Sequence, residues 1–521
     1  MQSQNSIFKK WVPERLLLPI LIFAIFPHIM LFSIFTMNTT FTASFLDVDV
    51  DDLQFMFSTV YAMIVCGMFL HVRLFHFFNV RSYLLFMAIA NIIVLFVMTC
   101  TNNFQVILAL RYIQGPLVLF EGVILVPVIM NLLKTPNARL IAFSVLYFFM
   151  LTGDKFSTSL IKFAIENYNH NMILYTIILF HVVLLIIYAT ILNHNRLFPK
   201  KPLYQLNLGG IFLMSICLIS GAYFLIYGKR LYWFESPTIT LAFTLCLVFG
   251  AFFIVHQKYA KRPLFHFEVF RSRRIVIGIG LFFFYYIIRA SMGNFYQVMG
   301  QVWKWPWEYI LKIQYFNVAG SFIGVLIGYQ LLARKVNFKY IFFLGFILLA
   351  SSMLYFSLLL VPDARVGAVV PSLVVEGVGQ GILFCPLVMF MVGSVHPTIS
   401  GSASQSGTAI RFWTNTIGFS IMQNSVLYLT TKHQFLMTKN LDVTSTLFQN
   451  EWNQLFGKFD ASHLTNDTIN LTVSSIRSKL YNQAFLVSSM EIYRTLFVMA
   501  LLVSCFILIY PLIRNRFRIS N

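Results

Sequence analysis

Long apolar runs separated by short polar or basic connectors fill most of the chain. Fourteen of them approach the roughly 20 residues that a helix needs to cross the hydrocarbon core of a bilayer. They lie near 16–37, 53–72, 83–101, 104–133, 140–164, 172–192, 205–227, 237–256, 274–296, 307–331, 339–361, 366–393, 403–430 and 489–513. The pattern predicts an all-α polytopic membrane protein with 14 transmembrane helices. Two longer segments break the rhythm. Residues 38–52 carry Asp47, Asp49, Asp51 and Asp52, spaced partly like a calcium loop but without its glycine and terminal glutamate, so a solvated acidic loop is expected. In residues 431–488, Phe448, Trp452, Leu455, Phe456 and Phe459 recur at helical spacing, which predicts an amphipathic helix on the outer membrane surface or a lid.

The longest basic connector, 257–274, contains Pro263, Arg271, Arg273 and Arg274 and divides the spans into six, a pair and six. The units expected are an N-terminal six-helix bundle (1–204), an inserted helix pair (205–256) and a C-terminal six-helix bundle (257–521) that includes the outer segment 431–488. A faint internal repeat fits this division. Arg111-Tyr-Ile-Gln114-Gly115, followed by Pro127, has a counterpart in Leu373-Val-Val-Glu376-Gly377, followed by Pro386. Spans 2 and 4 thereby match spans 10 and 12, and transporter folds are commonly built from such repeats.

Composition removes other classes: 58% hydrophobic and 11% charged residues, with mean hydropathy +0.77, suit neither a soluble enzyme nor a nucleic-acid protein. The net charge of +20 marks orientation instead. Basic residues such as Lys9, Lys10, Arg15, Lys134, Arg139, Lys200, Lys258, Lys335 and Arg514 crowd one set of connectors, whereas the opposite short loops hold Lys229, Arg230, Lys304 and Arg365. This positive-inside asymmetry places both termini in the cytoplasm and the protein in the inner (cytoplasmic) membrane. The first span lacks a small-x-small cleavage site and is expected to stay attached. The six cysteines follow no metal-binding spacing and are expected as free thiols. Sequons stand at Asn38, Asn466 and Asn470.

Charges within apolar spans are costly and rarely idle. The candidates for a proton or substrate pathway are Arg111, Gln114, Glu121, Asp154, Lys155, Arg289, Glu376 and Arg411. Spans 4 and 5 run antiparallel, which sets Glu121 level with Asp154 and Lys155 and predicts a Glu121–Lys155 ion pair, with Asp154 facing water or Arg111. Glu491 and Arg494, one turn apart, are expected to satisfy each other. Gln114 and Glu376 occupy repeat-equivalent positions and are expected to face a central cavity, where Glu376 could load and release a proton. Arg289 and Arg411 have no acid in their own spans and are candidates to bind an anionic substrate or to pair with Glu376. Trp303, Trp305 and Trp307 mark an aromatic belt at the outer boundary.

These residues resemble the major facilitator superfamily, and the count of fourteen points to its drug:proton antiporter branch. The run Arg111-Tyr-Ile-Gln114-Gly115 fits that family's R-x-x-Q-G motif, which implies a proton-coupling role for Arg111. The family's conformational-switch loop is matched in part, with Arg73, Leu74 and Arg81 kept and His76 in place of the acid. Gly228-Lys-Arg-Leu-Tyr-Trp233-Phe-Glu-Ser236, Pro263-Leu264, and Ala409-Ile-Arg411 with Ile417-Gly418 resemble further exporter patterns. The glycine-proline pair of the antiporter motif is replaced by Leu151-Thr-Gly-Asp154-Lys155.

The resemblance implies a secondary transporter, not an enzyme, that moves a small molecule by alternating access without a cofactor. Proton-coupled export of amphipathic or drug-like compounds is the leading expectation; proton symport or facilitated passage of an organic solute is the alternative. The partners implied are substrate, protons and lipid, a periplasmic adaptor where export crosses two membranes, and no nucleic acid; a monomer is expected. A membrane-embedded metal oxygenase is the remote alternative, suggested by His28, His71, His76, His170, His181, His194, His256 and His266. Their spacing gives no H-x-x-x-H cluster, so no metal is expected.

Overall fold

A computed structural model describes residues 7–35, 43, 46–133, 135–167, 171–200, 202–203, 206–260, 263–393, 400–439, 441–460 and 467–510. Lys134, His170, Asn38, Asn466 and Arg514 therefore lie outside the described residues. The helices are α1 (Glu14–Ser33), α2 (Val50–Phe77), α3 (Val80–Thr99), α4 (Phe104–Leu132), α5 (Ala138–Asn167), α6 (Met172–Ile191), α7 (Leu208–Tyr227) and α8 (Pro237–Tyr259). They continue as α9 (Arg273–Gln301), α10 (Trp307–Ala333), α11 (Phe338–Leu359), α12 (Val366–Val392), α13 (Ser400–Lys439), α14 (Thr446–Asp460) and α15 (Thr468–Ile509).

Thirteen of these are long and apolar enough to cross a membrane, which makes the chain a multi-pass membrane protein. The remaining expected span, 403–430, falls within α13. That helix is long enough, but its many Ser, Thr, Gln and Asn residues keep it out of the apolar set. Local chemistry sets the helix ends. Asn103 accepts from the N–H groups of Gln105 and Val106 at the start of α4, and Asp49 and Asp52 form a capping box at the start of α2. The winding of α4 is interrupted at Ile124, because Pro127 has no N–H to give to Val123.

α1 to α6 pack mainly on one another, as do α9 to α13 with α15, while α5 also packs on α10 and α12 and α2 on α13. In each, the repeat-related pair packs with backbones nearly touching: α2 on α4 and α10 on α12. A Cβ on Gly115 would fall 2.7 Å from the Val60 carbonyl, and one on Gly377 would fall 2.3 Å from the Asn317 carbonyl. Such approach is the usual basis of helix association in lipid, where no hydrophobic drive operates between helices. Of the inserted pair, α7 lies against α2 and α13 while α8 packs on α7, and the Trp413 ring occupies the space a side chain at Gly221 would need. The turn between α7 and α8 explains its own sequence signature. Gly228 leaves room for the Trp233 ring, the Trp233 N–H reaches the Gly228 carbonyl at 2.6 Å, and Ser236-Pro237 begins α8.

The outer segment holds the amphipathic helix expected of it, α14, between two long helices. α13 spans 40 residues and α15 spans 42, about 60 Å each against a hydrocarbon core of about 30 Å, so both project beyond the membrane. α14 packs against the projecting part of α15, with Phe448, Trp452, Leu455, Phe456 and Phe459 half-buried and its polar face exposed. The acidic loop is likewise tied down where described. Arg230 meets Asp49 at 2.5 Å, the Tyr227 hydroxyl donates to Asp52 at 2.5 Å, and Gln423 donates to Asp51.

Candidate functional site

A cavity of about 490 Å³ opens between the N-terminal bundle and α13. Its walls come from α1, α2, α4 and α5 on one side and from Gly401, Ser404, Gln405, Thr408 and Arg411 of α13 on the other. Aromatic and thioether side chains dominate it, among them Phe32, Tyr61, Phe75, Phe143, Tyr147, Met68 and Met130. One end reaches His76 and Phe198, next to the N-terminal segment, where Lys9 donates to the Ala189 carbonyl at 3.3 Å. At the opposite end the bundles are held together by a 3.1 Å ion pair between Lys162 of α5 and Glu308 of α10, with the Lys162 ammonium 5.4 Å from the Trp307 ring centroid. Trp307 thus serves this contact as well as the aromatic belt.

Of the eight expected pathway residues, Arg411 alone lines this cavity. Its Nε donates to the Gly407 carbonyl and its Nη2 to the Thr408 hydroxyl, both at 3.0 Å, while Nη1 has no hydrogen-bond partner among the described residues. The guanidinium lies 5.9 Å from the centroids of both Tyr147 and Phe384. A cation of this kind, aromatic-faced and one donor short, is equipped to meet an anionic group.

Gln114 and Glu376 do not face the cavity, contrary to expectation, because each is held within its own bundle. Gln114 accepts from Arg111 at 2.5 Å. Glu376, fully buried, accepts from Asn317 of α10 and Gln380 of α12. Arg111 in turn donates to the Leu31 and Phe32 carbonyls at 2.8 Å, closing the last turn of α1.

The Glu121–Lys155 pair does not form. Glu121 points into the N-terminal bundle, where Asn91 of α3 donates to it at 2.7 Å and His28 and His181 each stand 3.8 Å away. Lys155 instead sits 3.8 Å from Asp154 and donates to the Leu151 carbonyl at 3.4 Å. α5 packs against α10 and α12, so its polar face serves the other bundle. Arg289 of α9 donates to the Met150 carbonyl of α5 at 3.4 Å, so α5 presents Asp154 and Lys155 beside helices of the other half of the chain and is bonded to one of them. Glu491 also chooses a different partner from the one expected, His433 of α13 at 2.9 Å rather than Arg494.

The switch-loop residues dock on the connector that follows α6. His76 contacts the Pro199 carbonyl at 3.2 Å and stacks on Phe198, and Arg81 donates to His194 at 2.8 Å. Sequence spacing missed one group altogether. His28 of α1, Glu121 of α4 and His181 of α6 bring one potential ligand atom each to within 4.8 Å of one another. No local motif could have revealed it, since each residue comes from a different helix.

The chain matches no known family profile and no curated protein. Solved structures do resemble it. The nucleoside transporter NupG is 13% identical over 95% of this chain and 100% of its own, with a TM-score of 0.52. The POT family transporter PepTSo is 13% identical over 94% and 99%, with a TM-score of 0.51. A POT family transporter in complex with thioalcohol conjugated peptide is 13% identical over 94% and 96%, with a TM-score of 0.56. At this identity the likeness is one of fold alone: the chain folds like these transporters over nearly its whole length.

Proposed function

We propose that the protein is a proton-coupled secondary transporter of the cytoplasmic membrane that exports amphipathic compounds by alternating access. The observation that carries this reading is the charged group shared by the two bundles. Asp154 and Lys155, 3.8 Å apart, stand on α5, which packs against α10 and α12; Arg289 of α9 reaches the Met150 carbonyl of α5 at 3.4 Å, and Glu376 lies buried on α12 between Asn317 and Gln380. When two bundles rock about a central site, a group divided between them changes its spacing, and the proton affinity of its carboxylates changes with it. Proton loading and bundle position are coupled by the same charges. The fold neighbours, all named as transporters, support the reading.

Substrate occupies the cavity beside α13, its apolar part against Tyr61, Phe75 and Phe143 and an anionic group at Arg411. The present conformation is open toward the basic, cytoplasmic end and closed at the other by Lys162–Glu308. Arg111 holds α1 in place within the bundle that moves. Import with protons is the second reading, favoured by the missing glycine-proline pair at Leu151-Thr-Gly-Asp154. Proteoliposomes under an imposed pH gradient, challenged with hydrophobic cations, anions and zwitterions, separate these outcomes. Export predicts accumulation against inward proton flow, and Arg411→Gln should impair anions more than cations. Transport of the whole panel that ignores the gradient would overturn proton coupling.

A further inference from the structure

The cluster of His28, Glu121 and His181 is built from groups that leave each other unsatisfied. All three are buried, at 4%, 0% and 0% exposure. His181 Nδ1 lies 2.9 Å from the Ile177 carbonyl, which only accepts, so Nδ1 carries the proton and Nε2 presents a lone pair in the neutral ring. That lone pair faces Glu121 Oε2 at 3.8 Å and finds no donor. Among the described residues His28 has a hydrogen-bond partner for neither nitrogen, and its Nδ1 stands 3.8 Å from the same oxygen. Asn91 donates to Oε2, yet Oε1 is left without a partner. Around the one oxygen that Asn91 serves, His181 Nε2, Glu121 Oε1 and both His28 nitrogens thus stand without hydrogen bonds among the described residues, an arrangement that a cation between them resolves.

We propose that His28, Glu121 and His181 bind a single divalent transition-metal ion, with zinc the best match. Two imidazoles and one carboxylate are the donor set of a borderline cation with one position left open. Ligands about 2.0–2.1 Å from a tetrahedral ion stand about 3.4 Å apart, so the 3.8 Å nitrogen–oxygen spacings need to close by only a few tenths of an ångström. The Ile177 carbonyl and Asn91 orient the ligands from behind, as outer partners do in metal sites. His28 belongs to the cavity wall, which gives the ion a path of entry. All three ligands sit in the N-terminal bundle, so the ion fastens α1, α4 and α6 to one another and travels with that bundle. It is resident rather than cargo, and its binding does not depend on the transport reading.

Chelator-stripped protein in detergent micelles, titrated with cobalt(II), should develop a visible ligand-field spectrum that saturates at one equivalent and is displaced by zinc. Glu121→Gln and His181→Gln should each weaken binding by about 100-fold or more, and Asn91→Leu by about 10–100-fold. His28→Gln, at the cavity wall, provides a ligand deletion with less disturbance of the bundle. Size-exclusion profiles without metal establish that the variants fold, and zinc should raise the melting temperature of the wild type but not of the variants. Absence of a saturable equivalent in the wild type, or affinity unchanged in folded His28→Gln and Glu121→Gln, overturns the site.

Discussion

Arg111 offers the sharpest test of how this bundle is held together. It is 1% exposed and has no carboxylate partner among the described residues, and its guanidinium donates instead to the Leu31 and Phe32 carbonyls at 2.8 Å and to Gln114 at 2.5 Å. Those two carbonyls belong to the last turn of α1, which ends at Ser33, where helical N–H donors run out and the negative end of the helix dipole is concentrated. Arg111→Met keeps most of the volume and removes every donor. Hydrogen bonds to a charged group contribute about 1.5–3 kcal/mol each, which gives about 3–6 kcal/mol for the two carbonyl contacts. Interhelical hydrogen bonds measured within membranes average about 0.6 kcal/mol, which sets a floor near 1.2 kcal/mol for two.

Arg111→Lys restores the charge but offers a point donor where the fork made two contacts, so it should recover about half of the loss. Reversible unfolding in mixed micelles, read by tryptophan fluorescence, measures both variants. If Met and Lys each fall within about 0.5 kcal/mol of wild type, the carbonyl contacts do not hold α1 and the reasoning fails. Should Arg111→Lys also shift the pH dependence of transport while keeping its stability, the arginine acts in coupling and not merely as a fastening between α1 and α4.

Other expectations follow from the same contacts. Lys162→Gln removes a partly exposed pair and a cation–π contact, each of about 0–1 kcal/mol, so cysteine labelling at the Trp307 end should report a rise of about 2–5-fold in the outward-open population; unchanged labelling would show that the pair does not hold that end closed. Gly324→Leu would place a Cβ 2.3 Å from the Val378 carbonyl, and the forced separation of α10 from α12 should cost at least about 1–3 kcal/mol in thermal stability or abolish expression. Glu376→Gln should end pH-driven substrate movement in proteoliposomes with substrate binding largely intact, and persistence of that movement would remove Glu376 from the coupling. Because Glu121 and Lys155 serve different neighbours, the stability losses of Glu121→Gln and Lys155→Gln should add to within about 0.5 kcal/mol; a double variant more stable than either single would restore a direct pair.

The hydrophobic pattern located the spans because lipid imposes one requirement on each of them separately. It reached α13 as the span 403–430 even though that helix is rich in hydroxyls and amides and falls short of the apolarity of the other spans. The repeat between Gly115 and Gly377 was legible for a related reason: backbone approach demands glycine whatever lies around it. Partnership among the buried charges was not, and the case of Glu121 explains why. Depth along an antiparallel pair fixes which residues are level, but rotation about the helix axis decides which of them meet, and rotation is set by packing with elements far away in sequence. α4 turns Glu121 toward α3 and α6, whereas α5 turns Lys155 toward the other bundle. The same rotations that separated the expected ion pair created the histidine and glutamate cluster on one side and a charged group divided between the bundles on the other. A residue's level in the membrane therefore limits its function, and the direction it faces selects it.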